Sequence, residues 1–519
     1  MFGLDQIFSY SDKSPLLFNQ YLFLFLFTLM FAGFSLVHKK VRVRNLYLLV
    51  FSLFFYYKCS GFYFVLLLLS TLVDYGCGMG IYVTKEKWEK KLYLMLSIVS
   101  NVGLLAFFKY SYFFVDTINS LLGTELQAVN LLAAFANGTF GASFDIHDII
   151  LPVGISFYTF QTLSYSIDVY RGKIKPCGNI FDFAFFVSFF PQLVAGPIVR
   201  ASEFLPQIKR PYYLSSSGFG TAVFLIMGGL IKKVVISDYI SINFVDRVFE
   251  TPEMYSGFMN LMAVYGYSIQ IYCDFSGYSD IAIGLAALLG FKLPINFNSP
   301  YKSQNITEFW RRWHISLSTW LRDYLYISLG GNRKTKIRTY FNLFITMLIG
   351  GLWHGAALKF IIWGALHGFA LMVHKAWLKY ARVDLGKFGK YIGVLVTFHF
   401  VSFCWMYFRA ADMATVGQML SNIFTDFDLA GVVSRVAAYW RVFALMLIGY
   451  VVHLLPSNLK NRVQWWFTEA PMYVKVLIFV VVVFSIYQAT RIKTFTYIGA
   501  SVNHHCTLFF RLLGSRCTT

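Results

Sequence analysis

Apolar residues in this chain gather into long runs divided by short clusters of lysine and arginine. Tyr21–Val37 is the first clean run, close to the ~20 residues that carry an α-helix across a bilayer. It ends in His38-Lys-Lys-Val-Arg-Val-Arg44. Runs at 45–57 and 61–82 return to a second basic cluster at 85–91, and a fourth run spans 92–114. From Tyr110 to Tyr170 there is no Lys or Arg, while Asp116, Glu125, Asp145 and Asp148 fall between them. Basic loops favour the cytoplasmic side, so these four crossings place the N-terminus and the 115–148 segment outside.

The run at 151–170 comes back to a basic cluster at 171–175. The next, 181–197, carries Pro191 and Gly196-Pro197 and has basic residues on both flanks, which predicts a re-entrant segment. Further spans fall near 218–236, 256–290, 340–357, 359–378, 390–408, 440–455 and 472–490, with the basic stretches 292–340 and 379–390 inside. The expectation is an all-α polytopic membrane protein of about 11 or 12 spans. One integral-membrane domain covers 1–495, and an atypical tail covers 496–519. No cleavable signal is expected, because the first fifteen residues lack a basic region leading into a short apolar core. No internal repeat is visible, which weighs against many transporter folds.

Composition sharpens this. Charged residues make up 13% of the 519, about half the roughly 25% of a soluble domain. Apolar residues reach 57% and the mean hydropathy is +0.58. That excludes disorder, a disulfide-stapled secreted domain and an ordinary cytosolic enzyme. The net charge of +20 would suggest nucleic acid in a soluble protein. Here it reads as cytoplasmic loops, so lipid and not nucleic acid is the expected surround. The seven cysteines form no C-x-x-C pair and read as small core residues, so no metal site is expected. Walker A, G-x-S-x-G and H-E-x-x-H signatures are all missing, and Gly76, Gly78 and Gly80 do not make G-x-G-x-x-G.

The residues able to do chemistry cluster between 265 and 368. Asp274 and Asp280, with Tyr278 between them, lie in a stretch long enough to cross a membrane, where a carboxylate is costly and points to function. The competing reading is that both brace helices at a wet edge. The stretch 305–324 carries Arg311, Arg312, Trp313 and His314, with Phe309, Trp320 and Tyr324 near helical spacing. It predicts an amphipathic helix at the cytoplasmic interface, capped by Thr307 and braced by Glu308 and Arg312. His314 is also compatible with a proton-handling or positioning role. Finally, Gly350-Gly-Leu-Trp-His-Gly-Ala356 places Trp353 and His354 near the end of an apolar span, among glycines that would leave room for a substrate. An imidazole with an ordinary pKa near 6.5 suits a general base, although a hydrogen-bonded core histidine has the same look.

These motifs, with Leu151-Pro-Val-Gly-Ile-Ser-Phe-Tyr158, Ile167-Asp-Val-Tyr-Arg-Gly172 and Leu193-Val-Ala-Gly-Pro197, resemble the membrane-bound O-acyltransferase family. The likeness is strongest to its bacterial alginate-O-acetylating branch and weaker to its teichoic acid D-alanylating branch. It runs from about 20 to about 410 and is densest over 305–333.

The resemblance implies a ring of helices around a funnel that thins the membrane, with a passage between its two sides. It implies His354 as the essential histidine and His314 as a second site residue. Asp274, Tyr278, Asp280, Arg311, Arg312, Trp313 and Trp353 are candidates to line the passage. No bound cofactor is implied. An acyl thioester such as acetyl-coenzyme A would donate from the cytoplasm, and an extracytoplasmic acetyltransferase partner would complete transfer to a polysaccharide. The location would be the bacterial inner membrane. A D-alanyl transferase, or a transporter of polysaccharide or lipid, remains the alternative on residues alone. The ending at 501–519, with His504-His505-Cys506, departs from the family pattern.

Overall fold

The computed structural model describes residues 7–11, 15–141, 144–380 and 386–496. Among them every regular element is a helix and there is no strand. Most of the tail, including His504, His505 and Cys506, lies outside the described residues. Six helices are long and apolar enough to cross a membrane: Val41–Val83, Lys87–Leu122, Ser216–Glu250, Leu358–Tyr380, Gly386–Arg409 and Met472–Ala489. The pair Val432–Ala438 and Trp440–Leu454, bent by 87°, makes a seventh. The protein is therefore an all-α, multi-pass membrane protein.

The larger count from hydropathy runs has identifiable sources. Tyr21–Val37 is a helix of only 17 residues. The first helix of the six holds two of the sequence runs, Val41–Ser60 and Phe64–Val83, parted by a turn at Gly61 with φ +58°. The stretch 181–197 is a broken helix, Ile180–Ser188 then Phe190–Leu193, and it is buried almost throughout. Its phenylalanines pack among Phe204 and Phe291, which shelters the interrupted backbone within protein, as a re-entrant segment requires.

Large apolar side chains such as Leu69, Leu72, Leu395, Val396, Val480 and Val481 face outward, while polar groups collect inside. Gly257–Leu288 is the central helix, with Gln270, Asp274, Ser276 and Ser279 all buried. It packs most extensively on Ser216–Leu230. That partner continues into two π-helical turns, Ile231–Ser237 and Ser241–Val245, and the first of these presents Lys232 and Lys233. Wide turns of this kind re-aim side chains and often mark functional sites.

The 305–324 stretch corrects the sequence reading. It is two short helices, Ile306–Arg312 and Ile315–Trp320, broken at His314 and followed by the π-helical turn Leu321–Tyr326, and so is not one continuous amphipathic helix. Trp310, Trp313 and Trp320 are all buried. Trp320 stacks on Phe160 at 3.9 Å, and Trp313 lies 4.9 Å from Trp405. Aromatic burial inside the protein outweighs an interfacial position for this segment.

The glycines beside His354 also have a different purpose from the one expected. A Cβ on Gly351 would come within 2.3 Å of the Phe360 carbonyl oxygen, and one on Gly364 within 2.6 Å of the Met347 oxygen. A Cβ on Gly355 would strike the Phe360 ring. Gly351 and Gly364 let Lys336–His354 and Leu358–Tyr380 pack backbone to backbone, Gly355 admits the Phe360 ring, and none of the three makes room for a substrate.

Candidate functional site

Two buried hydrophobic clusters, one built mainly from the N-terminal half and one from residues 236–446, meet at a cavity of about 100 Å³. Every family-like motif except that at 167–172 contributes to its wall. Gly154, at φ +77°, ends the approach to Ile155–Tyr170 and packs where a Cβ would lie 2.5 Å from the Leu193 carbonyl oxygen. That contact joins two motifs and brings Ser156, Phe157 and Ala195 to the cavity. Asp168 of the next motif accepts a hydrogen bond from the Tyr324 hydroxyl at 2.7 Å, and Arg171 donates to the Asp323 carbonyl at 3.0 Å. Arg200 pairs with the Asp323 carboxylate at 2.7 Å. Burial acts to raise the Asp323 carboxyl, but the hydrogen bonds and charges of Arg322 and Arg200 outweigh it and hold it below the ordinary carboxylate range.

Both predicted histidines face this cavity. His314 sits in the left-handed region at φ +41°, an uncommon conformation for a residue with a Cβ, and it is 1% exposed. Its Nδ1 lies 3.1 Å from Asn296 Oδ1. The same oxygen accepts from the Ser316 backbone N–H at 3.2 Å, so it is the acceptor and Nδ1 carries the proton. Nε2 is then the basic nitrogen, buried and with no protein partner. His354, the last residue of Lys336–His354, is half-buried among the rings of Trp353, Trp363 and Phe408 at 4.8, 5.1 and 5.0 Å. Trp353 stands between the two histidines, with its ring 6.3 Å from that of His314. Its indole N–H and the Ser156 hydroxyl are likewise buried on the cavity wall without a protein partner. Buried polar atoms are rarely left unpaired, so this group of donors and acceptors suits a polar ligand.

The other predicted residues divide. Asp274, Tyr278, Trp313 and Trp353 line the cavity together with the histidines. Asp280 does not; it pairs with Lys232, while Asp274 pairs with Lys233, which also reaches Asp238 at 3.1 Å. Both carboxylates thus brace the central helix, as the competing reading had it, and Asp274 in addition borders the cavity. Arg311 is exposed, and Arg312 is tied to Glu308 at 2.8 Å and to the Asn298 carbonyl at 3.1 Å, so neither reaches the cavity.

Two residues were missed from sequence. Lys233 and Lys109 are cations within apolar runs, and the cost of charge in a membrane, applied above to Asp274 and Asp280, would have singled them out. Lys109 donates to the Trp353 carbonyl, and Tyr110 beside it donates to the Leu352 carbonyl. Lys109 thereby satisfies a carbonyl at the end of Lys336–His354, and Tyr110 adds to one that already accepts the Gly355 N–H. Among the described residues no group of His, Cys, Asp or Glu is arranged to hold a metal ion.

Residues 177–414 match the profile of the MBOAT, membrane-bound O-acyltransferase, family. The chain is 39% identical to a peptidoglycan O-acetyltransferase of Helicobacter pylori, over 81% of this chain and 82% of that one. It is 40% identical to a probable alginate O-acetylase of Azotobacter vinelandii, over 84% of each. A teichoic acid D-alanyltransferase of Bacillus subtilis is 31% identical over 50% of this chain and 68% of its own length.

Proposed function

Because the chain belongs to the membrane-bound O-acyltransferase family and is an acyltransferase, we propose that it acetylates an envelope polysaccharide from a thioester donor. The donor, acetyl-coenzyme A or another acyl thioester, stays in the cytoplasm. The acceptor lies on the far side of the bacterial inner membrane. The observation that carries this reading is the convergence of His314 and His354 on one aromatic-walled cavity with unpartnered polar atoms. The relatives named for O-acetyl transfer match about four-fifths of the chain, the D-alanyl relative about half, and this favours acetyl over D-alanyl.

A hydroxyl is a poor nucleophile while protonated. In this proposal His354 takes the proton as the hydroxyl oxygen attacks the acyl carbon, a contribution of typically about 10²–10⁴-fold. The hydroxyl belongs to the polysaccharide, or to a serine of a separate extracytoplasmic acetyltransferase that completes the transfer. His314, held by Asn296 on the cavity wall, orients the reacting groups. The low-dielectric aromatic wall strengthens each polar contact made within it.

The test is chemical analysis of the exopolysaccharide and cell-wall glycan from a deletion strain complemented with the parent gene or with His354→Ala. The parent should restore ester-linked acetate, and the variant should not, at equal protein level. Ester-linked D-alanine in its place would favour the other acyl group. Loss of polymer export with acylation intact would contradict the enzyme assignment for this site.

A further inference from the structure

Lys109 continues an inward stripe on Lys87–Leu122 that runs Ser97, Asn101, Leu105, Lys109, one residue every turn. Ser97 and Asn101 are spent on hydrogen bonds to the Asp74 carboxylate. Lys109 is different. It is 7% exposed, and among the described residues no carboxylate pairs with it. Lys232, Lys233 and Arg409 each have an Asp within ion-pair distance, while the buried Arg44 and Lys58 are engaged by backbone carbonyls away from the cavity, Arg44 by those of Ile208 and Arg210 and Lys58 by that of Ser9.

A buried, uncompensated cation is costly, and a structural cap on one carbonyl would be served by any neutral donor. An ammonium has three N–H groups, and the Trp353 carbonyl takes one. The charge also sits 5.6 Å from the centre of the Trp353 ring, on the wall of the cavity that holds both histidines. The Trp353 carbonyl belongs to the peptide unit whose nitrogen is that of His354. Lys109 therefore docks on the peptide unit that leads into His354.

We infer that Lys109 is a further catalytic residue, whose ammonium donates to the acyl carbonyl oxygen as that oxygen becomes an oxyanion. The inference rests on the acyl-transfer function proposed above. In the step, the acceptor oxygen forms a bond to the acyl carbon, the carbonyl π pair moves onto oxygen beside Lys109, and the hydroxyl proton passes to His354. Collapse of the tetrahedral species breaks the carbon–sulfur bond, and the leaving thiolate takes the proton back from His354. The products are an ester and a thiol. Lys233 is less suited to this task, because Asp274 and Asp238 already neutralise it. Donors aimed at a developing oxyanion are worth about 10²–10³-fold in turnover.

The experiment uses inside-out membrane vesicles of cells making the full chain, supplied with radiolabelled acetyl-coenzyme A, with acetate on the enclosed polysaccharide as readout. Lys109→Gln keeps an N–H for the Trp353 carbonyl and removes the charge. The maximal rate per folded protein should fall about 10²–10³-fold, with half-saturating acetyl-coenzyme A changed by less than about twofold. Lys109→Arg should recover at least tenfold over Lys109→Gln. A parent-like maximal rate in Lys109→Gln would reduce Lys109 to a helix cap and overturn the inference alone. If Lys109→Gln does not accumulate, Lys109→Arg decides: a rate within about tenfold of the parent supports the assignment, and a background rate overturns it. No transfer by the parent vesicles would overturn the acyl-transfer reading and this inference together.

Discussion

Asn296 Oδ1 lies 3.1 Å from His314 Nδ1, and that contact assigns the proton to Nδ1 and leaves Nε2 as the basic nitrogen of a residue on the cavity wall. Asn296 also accepts from the Ser316 hydroxyl at 2.9 Å, so one amide sets the tautomer, the ring plane and the start of the helix that follows. The left-handed backbone at His314 is held in place by the same contacts.

Asn296→Ala should therefore lower acylation by about 10²-fold through misplacement of the His314 ring. His314→Gln should be similarly impaired, because it removes the basic nitrogen. Both follow from initial rates in membranes matched for protein amount. Full activity in Asn296→Ala would remove His314 from the site and return it to a packing role.

Gly351→Ala should reduce the amount of folded protein and not merely its rate. The new Cβ meets the Phe360 carbonyl at 2.3 Å, and overpacking of this kind costs about 1–3 kcal/mol. Gly350→Ala meets only Leu321 Cδ1 at 3.3 Å, a side-chain end that can move, and should be tolerated. Thermal unfolding in detergent separates the two. A stable Gly351→Ala protein with lost activity would mean that the space serves substrate.

How much of this was legible beforehand follows from what periodicity can carry. The helix ending at His354, the two histidines and the broken 181–197 segment were readable, since each is announced by local composition: an apolar run, a Trp-His-Gly motif, prolines within a run. What hydropathy cannot supply is which helix faces which. Lys109 and Trp353 lie 244 residues apart in the chain, and the Lys233–Asp274 pair is 41 apart. Two dispersed cations in apolar runs take partners distant in sequence, and only packing supplies them. The 305–324 segment misled for the opposite reason. Trp and Arg at helical spacing look interfacial, and only the aromatic rings of Phe160, Phe297 and Trp405 turn those tryptophans inward.

Sidedness rests on the charge of the loops. Glu125 is exposed in a segment without Lys or Arg, and Lys336 is exposed in a basic one. In a cysteine-free background, Glu125→Cys should react with a membrane-impermeant maleimide in intact spheroplasts and Lys336→Cys only after lysis. The reverse pattern would invert the orientation and the direction of acyl transfer.

Lys460 gives a pH-dependent signature outside the membrane-spanning helices. Burial, then the charges of Lys302 and Lys232, lower its ammonium from the ordinary 10.5 to about 8. Its neutral form is then half populated near pH 8, where an ordinary lysine is neutral in roughly one molecule in 300. Pulse acylation from pH 7 to 11, read by mass spectrometry of the peptide, should show a midpoint near 8 for Lys460. A midpoint near 10.5 would show that neither burial nor the neighbouring lysines act on it.

That His354 accepts the hydroxyl proton during acyl transfer, in the cavity it shares with His314, is the proposal on which the rest depends. Its most direct test is the pre-steady-state transfer of labelled acetyl from acetyl-coenzyme A to polysaccharide in inside-out vesicles, comparing the parent with His354→Gln. Binding of the thioester, measured with a non-transferable thioether analogue, should be equal, and the rate of transfer should be lower in the variant by about 10²–10⁴-fold. Transfer at the parent rate in His354→Gln vesicles containing the same amount of folded protein would contradict it.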